Sequence, residues 1–175
     1  MGYRAFWWLL GAACCLLLSG CYYFRLAPSP LQPSRFAVDR PAAAVFAALG
    51  PLLERDGYRV ERAEEQDLAV LTEFRNFSTR VGGVSQPEGG RLYYHRLKVT
   101  IMDLGEGCEV TVASTDLEIR SSYVYSEGGK VTAFKKRYPY DHYPGMFDLS
   151  SVDVELARMK RYLQSSLLRE GVNGQ

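Results

Sequence analysis

The chain has 175 residues, enough for one ordinary domain, and carries 21 lysines and arginines against 20 aspartates and glutamates. A formal net charge of +1 argues against nucleic-acid binding, because contacts with a phosphate backbone need a surplus of basic side chains. With 47% hydrophobic and 23% charged residues, the composition is typical of a folded globular domain and excludes a disordered chain.

The N-terminus has the pattern of a signal peptide. Arg4 precedes an uncharged run at 5–18, which is too short to cross a bilayer because a spanning helix takes about 20 apolar residues. The run ends in Leu18-Ser19-Gly20-Cys21, which resembles the lipobox of bacterial lipoproteins. The resemblance implies cleavage after residue 20 and a diacylglycerol on Cys21. The alternatives are secretion with cleavage elsewhere, which leaves Cys21 an ordinary thiol, and an uncleaved membrane helix.

The residue after Cys21 indicates in which membrane the lipoprotein would be anchored. Lipoproteins retained in the inner membrane of enterobacteria-like cells usually have Asp there, and this chain has Tyr22. The resemblance therefore favours the outer membrane with the domain in the periplasm, and leaves inner-membrane retention and surface exposure open. Loss of residues 1–20 would leave 20 basic and 20 acidic side chains, and Cys108 would be the one unmodified cysteine. No internal disulfide is expected.

A short tether is predicted between the lipid and the domain. Tyr22-Tyr23-Phe24 is expected either at headgroup level, which aromatic side chains favour, or packed on the domain. Residues 27–34 contain three prolines and no charge, so they should be extended at roughly 3 Å per residue. We assign 21–34 to this tether and predict a single domain at 35–172.

For the first half of the domain, the sequence predicts a strand, a helix and two further strands. Residues 35–39 suit a strand, and apolar residues at helical spacing follow from Pro41 to Gly57. Gly50-Pro51 is expected to interrupt and kink this helix. Residues 58–62 and 68–74 alternate apolar and polar side chains on either side of an acidic turn, as two strands do.

The second half predicts a hairpin and a long helix. Glycines mark 78–91 as a loop, whereas 92–104 and 108–119 alternate as the strands of a long hairpin. Residues 121–147 are predicted to be irregular, and the last helix to run from residue 148 or 150 to Gly171. The order predicts an α+β fold, a two-layer sandwich of mostly antiparallel sheet with the N-terminal and C-terminal helices on one face.

Three segments carry a resemblance over residues 35–170. They are Pro41 with Val45 and Phe46, the junction Gly57-Tyr58-x-Val60, and Leu68–Phe74 after an acidic turn. They resemble one helix-grip module of the BamC family (NlpB/DapX) of outer-membrane lipoproteins. The resemblance implies this fold and the periplasmic face of the outer membrane. BamC itself differs in having two modules and a long unstructured N-terminal segment, and the resemblance does not secure a role in barrel assembly.

The sequence offers little catalytic chemistry. His95 is expected to be a packed or edge residue within a strand, His142 a loop residue, and Cys108 a small half-buried core residue at a strand start. No metal-ligand spacing, nucleophile motif or glycine-rich phosphate loop occurs in the sequence. We therefore predict no metal site, no cofactor, no catalytic residue and no enzyme activity.

The predicted loop at 121–147 is the candidate interaction surface. Tyrosine and arginine are enriched in interface centres, and basic side chains can also meet anionic headgroups. The candidate residues are Tyr123, Tyr125, Phe134, Lys135, Lys136, Arg137, Tyr138, Tyr140 and Tyr143. The alternative is a lid whose aromatic rings pack on the sheet.

Two functions follow from this pattern. One is a non-catalytic protein-interaction or envelope-assembly module, anchored to the membrane through Cys21 and bound to an envelope protein. The other is a helix-grip carrier of a lipid or small apolar ligand, which requires a dry pocket of several hundred Å³ between helices and sheet.

Overall fold

A computed structural model describes residues 30–81, 90–127 and 130–172 of the chain. For 81, 90, 122–127, 130–135 and 170–172 the description covers the backbone alone. The fold is α+β, as predicted. Its elements in chain order are β1 (Ser34–Val38), α1 (Ala42–Arg55), β2 (Val60–Glu64), β3 (Ala69–Thr72), β4 (Arg75–Val81), β5 (Gly90–Asp103), β6 (Cys108–Glu127), β7 (Lys130–Pro139), a 3₁₀ turn (Pro144–Met146) and α2 (Ser150–Val172).

The sheet is built around the two longest strands, β5 and β6, which pair with each other in antiparallel fashion. On its other side β5 pairs with β3 and β4, and β2 adds to β3. On its other side β6 pairs with β1 near its start and with β7 near its end. Every one of these pairings is antiparallel, so the described sheet is antiparallel throughout.

Both helices pack on one face of this sheet. Strand residues that pair across the sheet, such as Val70, Val99 and Val112, are buried in the same cluster as the helices. Removing an aliphatic side chain of this size from water stabilises the fold by about 1.5–3 kcal/mol. The fully buried aliphatic positions of the helices are Val45, Leu49, Leu52, Leu53, Met159, Leu163 and Leu167.

The expected interruption of the first helix is wrong, since α1 runs from Ala42 to Arg55 with Pro51 inside it. A proline removes the amide that would bond the carbonyl four residues earlier, here that of Ala47. Both Ala47 and Pro51 lie on the exposed side of α1. Water can therefore satisfy the freed carbonyl, and the helix continues.

The prediction that residues 121–147 are irregular is also wrong over most of this segment. β6 extends to Glu127 and pairs with β7, which ends at Pro139. Tyr, Val, Thr and Phe at alternating positions suit a strand, and the charges at 135–137 are those of an edge strand, where lysine and arginine are common. The predicted loop 78–91 is likewise wrong at both ends: β4 reaches Val81 and β5 begins at Gly90, while residues 82–89 lie outside the described part.

Candidate functional site

A β-bulge distorts the centre of the β5–β6 pair. Tyr94 is opposite Glu118 and Arg96 is opposite Thr115, so the one intervening residue of β5 faces two residues of β6. One of those two, Asp116, has a φ of 50°, in the left-handed region that aspartate tolerates better than most residues. Bulges bend the strand and redirect side chains, and they are common beside functional sites.

The bulge lies beside a gap in the sheet. β1 pairs with β6 only as far as Val112, and β7 pairs with it only from Glu118. The stretch 113–117 therefore has no strand on that side in the described sheet. A cleft of about 690 Å³ occupies this gap. We call it the edge cleft, and its lining is formed by Pro30 and Leu31, Phe74, Arg96, residues 114–118 and residues 139–141.

The edge cleft carries a surplus of negative charge. Its ionisable side chains are one guanidinium and three carboxylates, those of Arg96, Asp116, Glu118 and Asp141. Arg96 forms an ion pair with Glu61, outside the cleft, and lies 3.5 Å from Asp116. Glu118 is 2.5 Å from Arg120. Since these outside partners cancel each other, the cleft keeps its negative balance.

Behind the cleft, a chain of hydrogen bonds enters the protein between sheet and helices. Ser114 is one of the residues that line the cleft, and its Oγ is 2.9 Å from His95 Nδ1. The Nε2 atom of His95 is 2.8 Å from the hydroxyl of Tyr58, which donates to Glu155 Oε1 at 2.7 Å. His95 and Tyr58 are fully buried, and Ser114 and Glu155 are each 7% exposed.

The chain of hydrogen bonds continues to Arg158, which is partly exposed. Arg158 donates two hydrogen bonds to Glu155, at 2.8 and 2.7 Å, and two to Asp56, at 2.8 and 2.7 Å. Arg75 donates to Asp56 at 3.1 Å, and its guanidinium lies 4.3 Å from the centre of the Tyr58 ring. We call the following set the buried polar network: Ser114, His95, Tyr58, Glu155, Arg158 and Asp56.

The charge states of the network follow from these contacts. Burial by itself would raise the pKa of Glu155, but hydrogen bonds from Arg158 and Tyr58 outweigh it and hold the pKa below its ordinary value. Burial and the adjacent Glu155 carboxylate raise the pKa of Tyr58. Burial lowers the pKa of His95 from 6.5 to about 4, although the Glu155 charge opposes it. At neutral pH, Glu155 is a carboxylate and Tyr58 and His95 are neutral.

These states fix the direction of every hydrogen bond in the chain. A carboxylate only accepts, so the single proton of Tyr58 goes to Glu155. The Tyr58 oxygen then accepts from His95 Nε2, which carries the ring proton. The other ring nitrogen, Nδ1, is left as an acceptor for the Ser114 hydroxyl. Ser114 therefore directs its proton inward.

Of the two positions predicted for His95, packed or at an edge, the structure has the packed one, since His95 is fully buried. Cys108 is in the core as predicted, but at 1% exposure it is more deeply buried than the expected half-buried position, and burial raises the pKa of its thiol. The partners of His95 were not identified from the sequence. One signal was present, because Glu155 lies within the apolar stripe that Val152 and Met159 define at helical spacing.

The candidate interaction residues divide into three groups. Lys136 and Arg137 are exposed at the end of β7, beside a half-buried Tyr138 whose ring contacts Tyr143 at 5.3 Å. Tyr140 is buried, with its ring 5.2 Å from that of Phe147, so the lid alternative holds for this residue. The remaining candidates have side chains outside the description, and only the pairing of their strands is known: Tyr123, Tyr125, Phe134 and Lys135.

Two further observations concern the described part of the chain. None of its helices combines the length and the apolar composition needed to span a membrane. Among the same residues, no three His, Cys, Asp or Glu side chains are grouped so that they could hold a metal ion. Cys21 and the rest of the predicted signal and lipid-bearing segment lie outside the described residues.

Comparison with known proteins adds a distant likeness. No family model matches the sequence, and no curated protein matches it. The crystal structure of a DUF4468 family protein from Bacteroides ovatus ATCC 8483 is similar to this chain at 12% sequence identity. The alignment covers 70% of each chain with a TM-score of 0.37, which is too distant to bear on function.

Proposed function

We propose that this protein is a non-catalytic envelope lipoprotein, anchored through Cys21 at the outer membrane, that binds an acidic partner protein along β7. The observation that carries the proposal is the free outer edge of β7. This strand pairs with β6 on one side only in the described sheet, and it exposes Lys136 and Arg137.

The hairpin of β6 and β7 extends past the described parts of the other strands. The last pairing of β6 with β5 joins Ser121 to Arg91, whereas its pairing with β7 continues to Glu127 and Lys130. A two-stranded ribbon with a free edge offers backbone groups to a partner strand. Lysines on such an edge discourage self-association, because like charges repel, and leave the edge open to a partner of opposite charge.

The charge of β7 specifies the partner. Its basic residues are Lys130, Lys135, Lys136 and Arg137, and the strand contains no acidic residue. Tyr138 and Tyr143 lie beside this charge and form an edge-to-face pair. Tyrosine and arginine are the residue types that interface centres favour, whereas lysines suit the charged rim around them. We expect a partner with an acidic edge strand or loop.

The tether and the hairpin belong to the same edge of the sheet. Pro30, within the predicted tether, and Pro139, at the end of β7, both line the edge cleft. A lipid on Cys21, nine residues before Pro30, would therefore keep this edge within roughly 30 Å of the membrane, since an extended residue spans about 3 Å. A partner in the same membrane would then be within reach of β7.

The core disfavours the alternative of an apolar ligand carrier. A carrier needs an empty, dry space between helices and sheet. Among the described residues, side chains with no exposed surface pack together in this space, including Leu49, Leu97 and Leu163. The edge cleft is elsewhere, at the sheet margin, and it is lined by charged groups.

The docking proposal is tested by co-purification from the native host in mild detergent. The test variant is Lys136→Glu with Arg137→Glu, and the matched control is Arg161→Glu with Arg169→Glu, two exposed positions on α2. Wild type and control should recover the same envelope protein, and the test variant should lose it. Equal recovery with both double variants would contradict docking at β7.

The anchor is tested separately, by metabolic labelling with palmitate. Cys21→Ser should abolish the label, whereas Cys108→Ser should leave it unchanged, because Cys108 is buried in the core. Continued labelling of Cys21→Ser would refute the lipid anchor without touching the docking surface.

A further inference from the structure

We propose that β4 is an acid-released cover, which shields His95 from water at neutral pH and detaches from β5 when that histidine takes up a proton. This device is separate from the outer edge of β7 and does not depend on the lipid anchor. It rests on three features of the structure: the complete enclosure of His95, the weak attachment of the strand that covers its ring, and the charges around it.

His95 is enclosed by side chains from three other parts of the chain. Tyr58, in the segment after α1, and Ser114, in β6, lie within hydrogen-bond distance of its two ring nitrogens, at 2.8 and 2.9 Å. Phe77 of β4 lies over the imidazole ring, with 4.1 Å between the ring centres and 31° between the ring planes. Since no part of His95 is exposed, water can reach its nitrogens only if one of these three side chains moves away.

Phe77 is the side chain of the three that moves most easily. It is half-buried, whereas Tyr58 is fully buried and Ser114 belongs to one of the two longest strands. In the described sheet β4 pairs with β5 alone, and its register shifts between Asn76 and Ser78, which places Phe77 in a β-bulge. A strand with a single partner and an interrupted ladder opens locally at a lower free-energy cost than the whole fold.

Two ion pairs also hold β4, and both persist at pH 5. Arg75 donates to Asp56 at 3.1 Å, and Arg80 pairs with Asp148. Burial by itself would raise the pKa of Asp56, but hydrogen bonds from two arginines outweigh it and hold the pKa below its ordinary value. Hydrogen bonds from the first residue of α2 lower the pKa of Asp148. Because both groups are still carboxylates at pH 5, loosening of β4 at that pH has to start elsewhere.

The environment of His95 opposes its protonation while β4 is in place. The ionisable groups on the elements packed around it are Asp56, Tyr58, Arg75, Asp116, Glu155 and Arg158. Burial lowers the pKa of His95 to about 4; the Glu155 charge opposes this shift, and Arg75 and Arg158 add to it. Detachment of β4 would admit water to the ring and carry Arg75 away, so the pKa of His95 should return toward 6.5 in the open state.

The proton therefore favours the open state. Between pH 6.5 and pH 4 the open form binds a proton that the closed form does not, so opening becomes more favourable as the pH falls. At pH 5 the difference between the two pKa values increases the open population about thirtyfold over its value at neutral pH. Opening uncovers the ring of Tyr93, which contacts Phe77, and the edge of β5 from Gly90 to His95. The device thus covers an aromatic strand edge at neutral pH and makes it accessible in acid.

The test is hydrogen exchange of backbone amides, measured by NMR on the full chain in mild detergent at pH 7.5 and pH 5.0. Each rate is divided by the intrinsic rate of an unfolded peptide at the same pH. The amides of residues 76–80 should lose about thirtyfold of their protection at pH 5.0. β1 is the matched control: it also pairs with one strand and buries an aromatic residue, Phe36, but its partner residues on β6, 108–112, do not face His95. An equal loss in both strands, or no loss in β4, would overturn the proposal.

Two pairs of variants identify the proton acceptor and its cover. His95→Gln should abolish the pH dependence of exchange in β4, whereas His142→Gln, at an exposed position, should retain it. Phe77→Ala should move the pKa of His95, followed through its ring protons by NMR, toward 6.5. Phe147→Ala removes a ring that contacts Tyr93 and should leave that pKa unchanged, and this pair keeps the test decisive if His95→Gln does not fold. A pH dependence that survives in His95→Gln, or an equal His95 pKa in the two phenylalanine variants, would overturn the proposal.

Discussion

The buried polar network and the hairpin of β6 and β7 use charged side chains in opposite ways. In the network each charged or polar group has a partner within 3 Å, as Glu155 has in Tyr58 and Arg158. On β7, Lys136 and Arg137 are exposed and the outer edge of the strand is free. Charges in the first region bind the fold together, whereas those in the second are available to another molecule.

The difference shows where substitutions should act on stability and where they should act on binding. A buried polar group that loses its partner keeps its desolvation cost, so changes in the network are expected to be expensive. Exposed charges interact weakly because water screens them. Four predictions separate the two regions, and they run from the largest expected effect on stability to the smallest.

Acid should weaken the fold most strongly through His95. Its pKa is 6.5 when unfolded and about 4 when buried, so between these values the unfolded chain takes up a proton that the folded chain does not. The free energy of unfolding should therefore be highest above this window and fall by on the order of 3 kcal/mol across it. The depressed pKa values of Glu155 and Asp56 should add a further loss at lower pH.

Urea denaturation at a series of pH values measures this effect. His142→Gln should keep the slope, because His142 is exposed, and His95→Gln should remove most of it. A slope that survives in His95→Gln would show that other groups dominate the acid response.

Arg158→Met should lower the free energy of unfolding by about 2 kcal/mol, less than for a fully buried pair because the arginine is partly exposed. The change leaves Glu155 with Tyr58 alone and Asp56 with Arg75 alone. Arg161→Met, one turn further along α2 and exposed, should change it by less than about 0.5 kcal/mol. Chemical denaturation of both variants at neutral pH provides the measurement, and equal stabilities would contradict the structural role of Arg158.

Tyr58→Phe should cost about 1.5 kcal/mol, because it removes the donor to Glu155 and the acceptor of His95 Nε2 together. Tyr162→Phe is the matched control. Its hydroxyl donates only to the carbonyl of Leu52, at 3.1 Å, and is less buried, so we expect about half that loss. Thermal unfolding of the two variants side by side measures the two losses of stability. Equal losses would mean that burial of the Tyr58 hydroxyl does not increase its contribution to stability.

Lys136→Ala with Arg137→Ala should change the free energy of unfolding by less than about 0.5 kcal/mol, the range of exposed positions. The Lys136 ammonium lies 5.0 Å from the centre of the Tyr138 ring, a contact of small value at an exposed site. The same variant should reduce recovery of the partner. A large loss of stability would show that these two residues stabilise the fold, as the buried polar network does, and would contradict their assignment to an exposed binding edge.

The sequence predicted the elements whose pattern is regular and missed those set by tertiary position. Alternation in β5 and β6 and helical spacing in α2 were sufficient to predict the fold class. β7 was missed because its charges resemble those of a loop, and only its place at the sheet margin explains them. The hydrogen-bond partners of His95 are Tyr58, in the segment after α1, and Ser114, in β6, while Glu155 of α2 is reached through Tyr58. Periodicity along the chain cannot bring such residues together.

The position of β1 has a consequence for how the chain folds. β1 is the first strand of the domain, yet its partner is β6, with Val38 opposite Cys108 and Ser34 opposite Val112. Contacts between distant parts of a chain form slowly, since a long loop must close before the pairing stabilises anything. Until β6 exists, β1 is an unpaired strand bearing Phe36 and Val38, both of which are buried in the native core. Chains that end before residue 108 should therefore aggregate, and folding should be completed only after most of the chain has been synthesised.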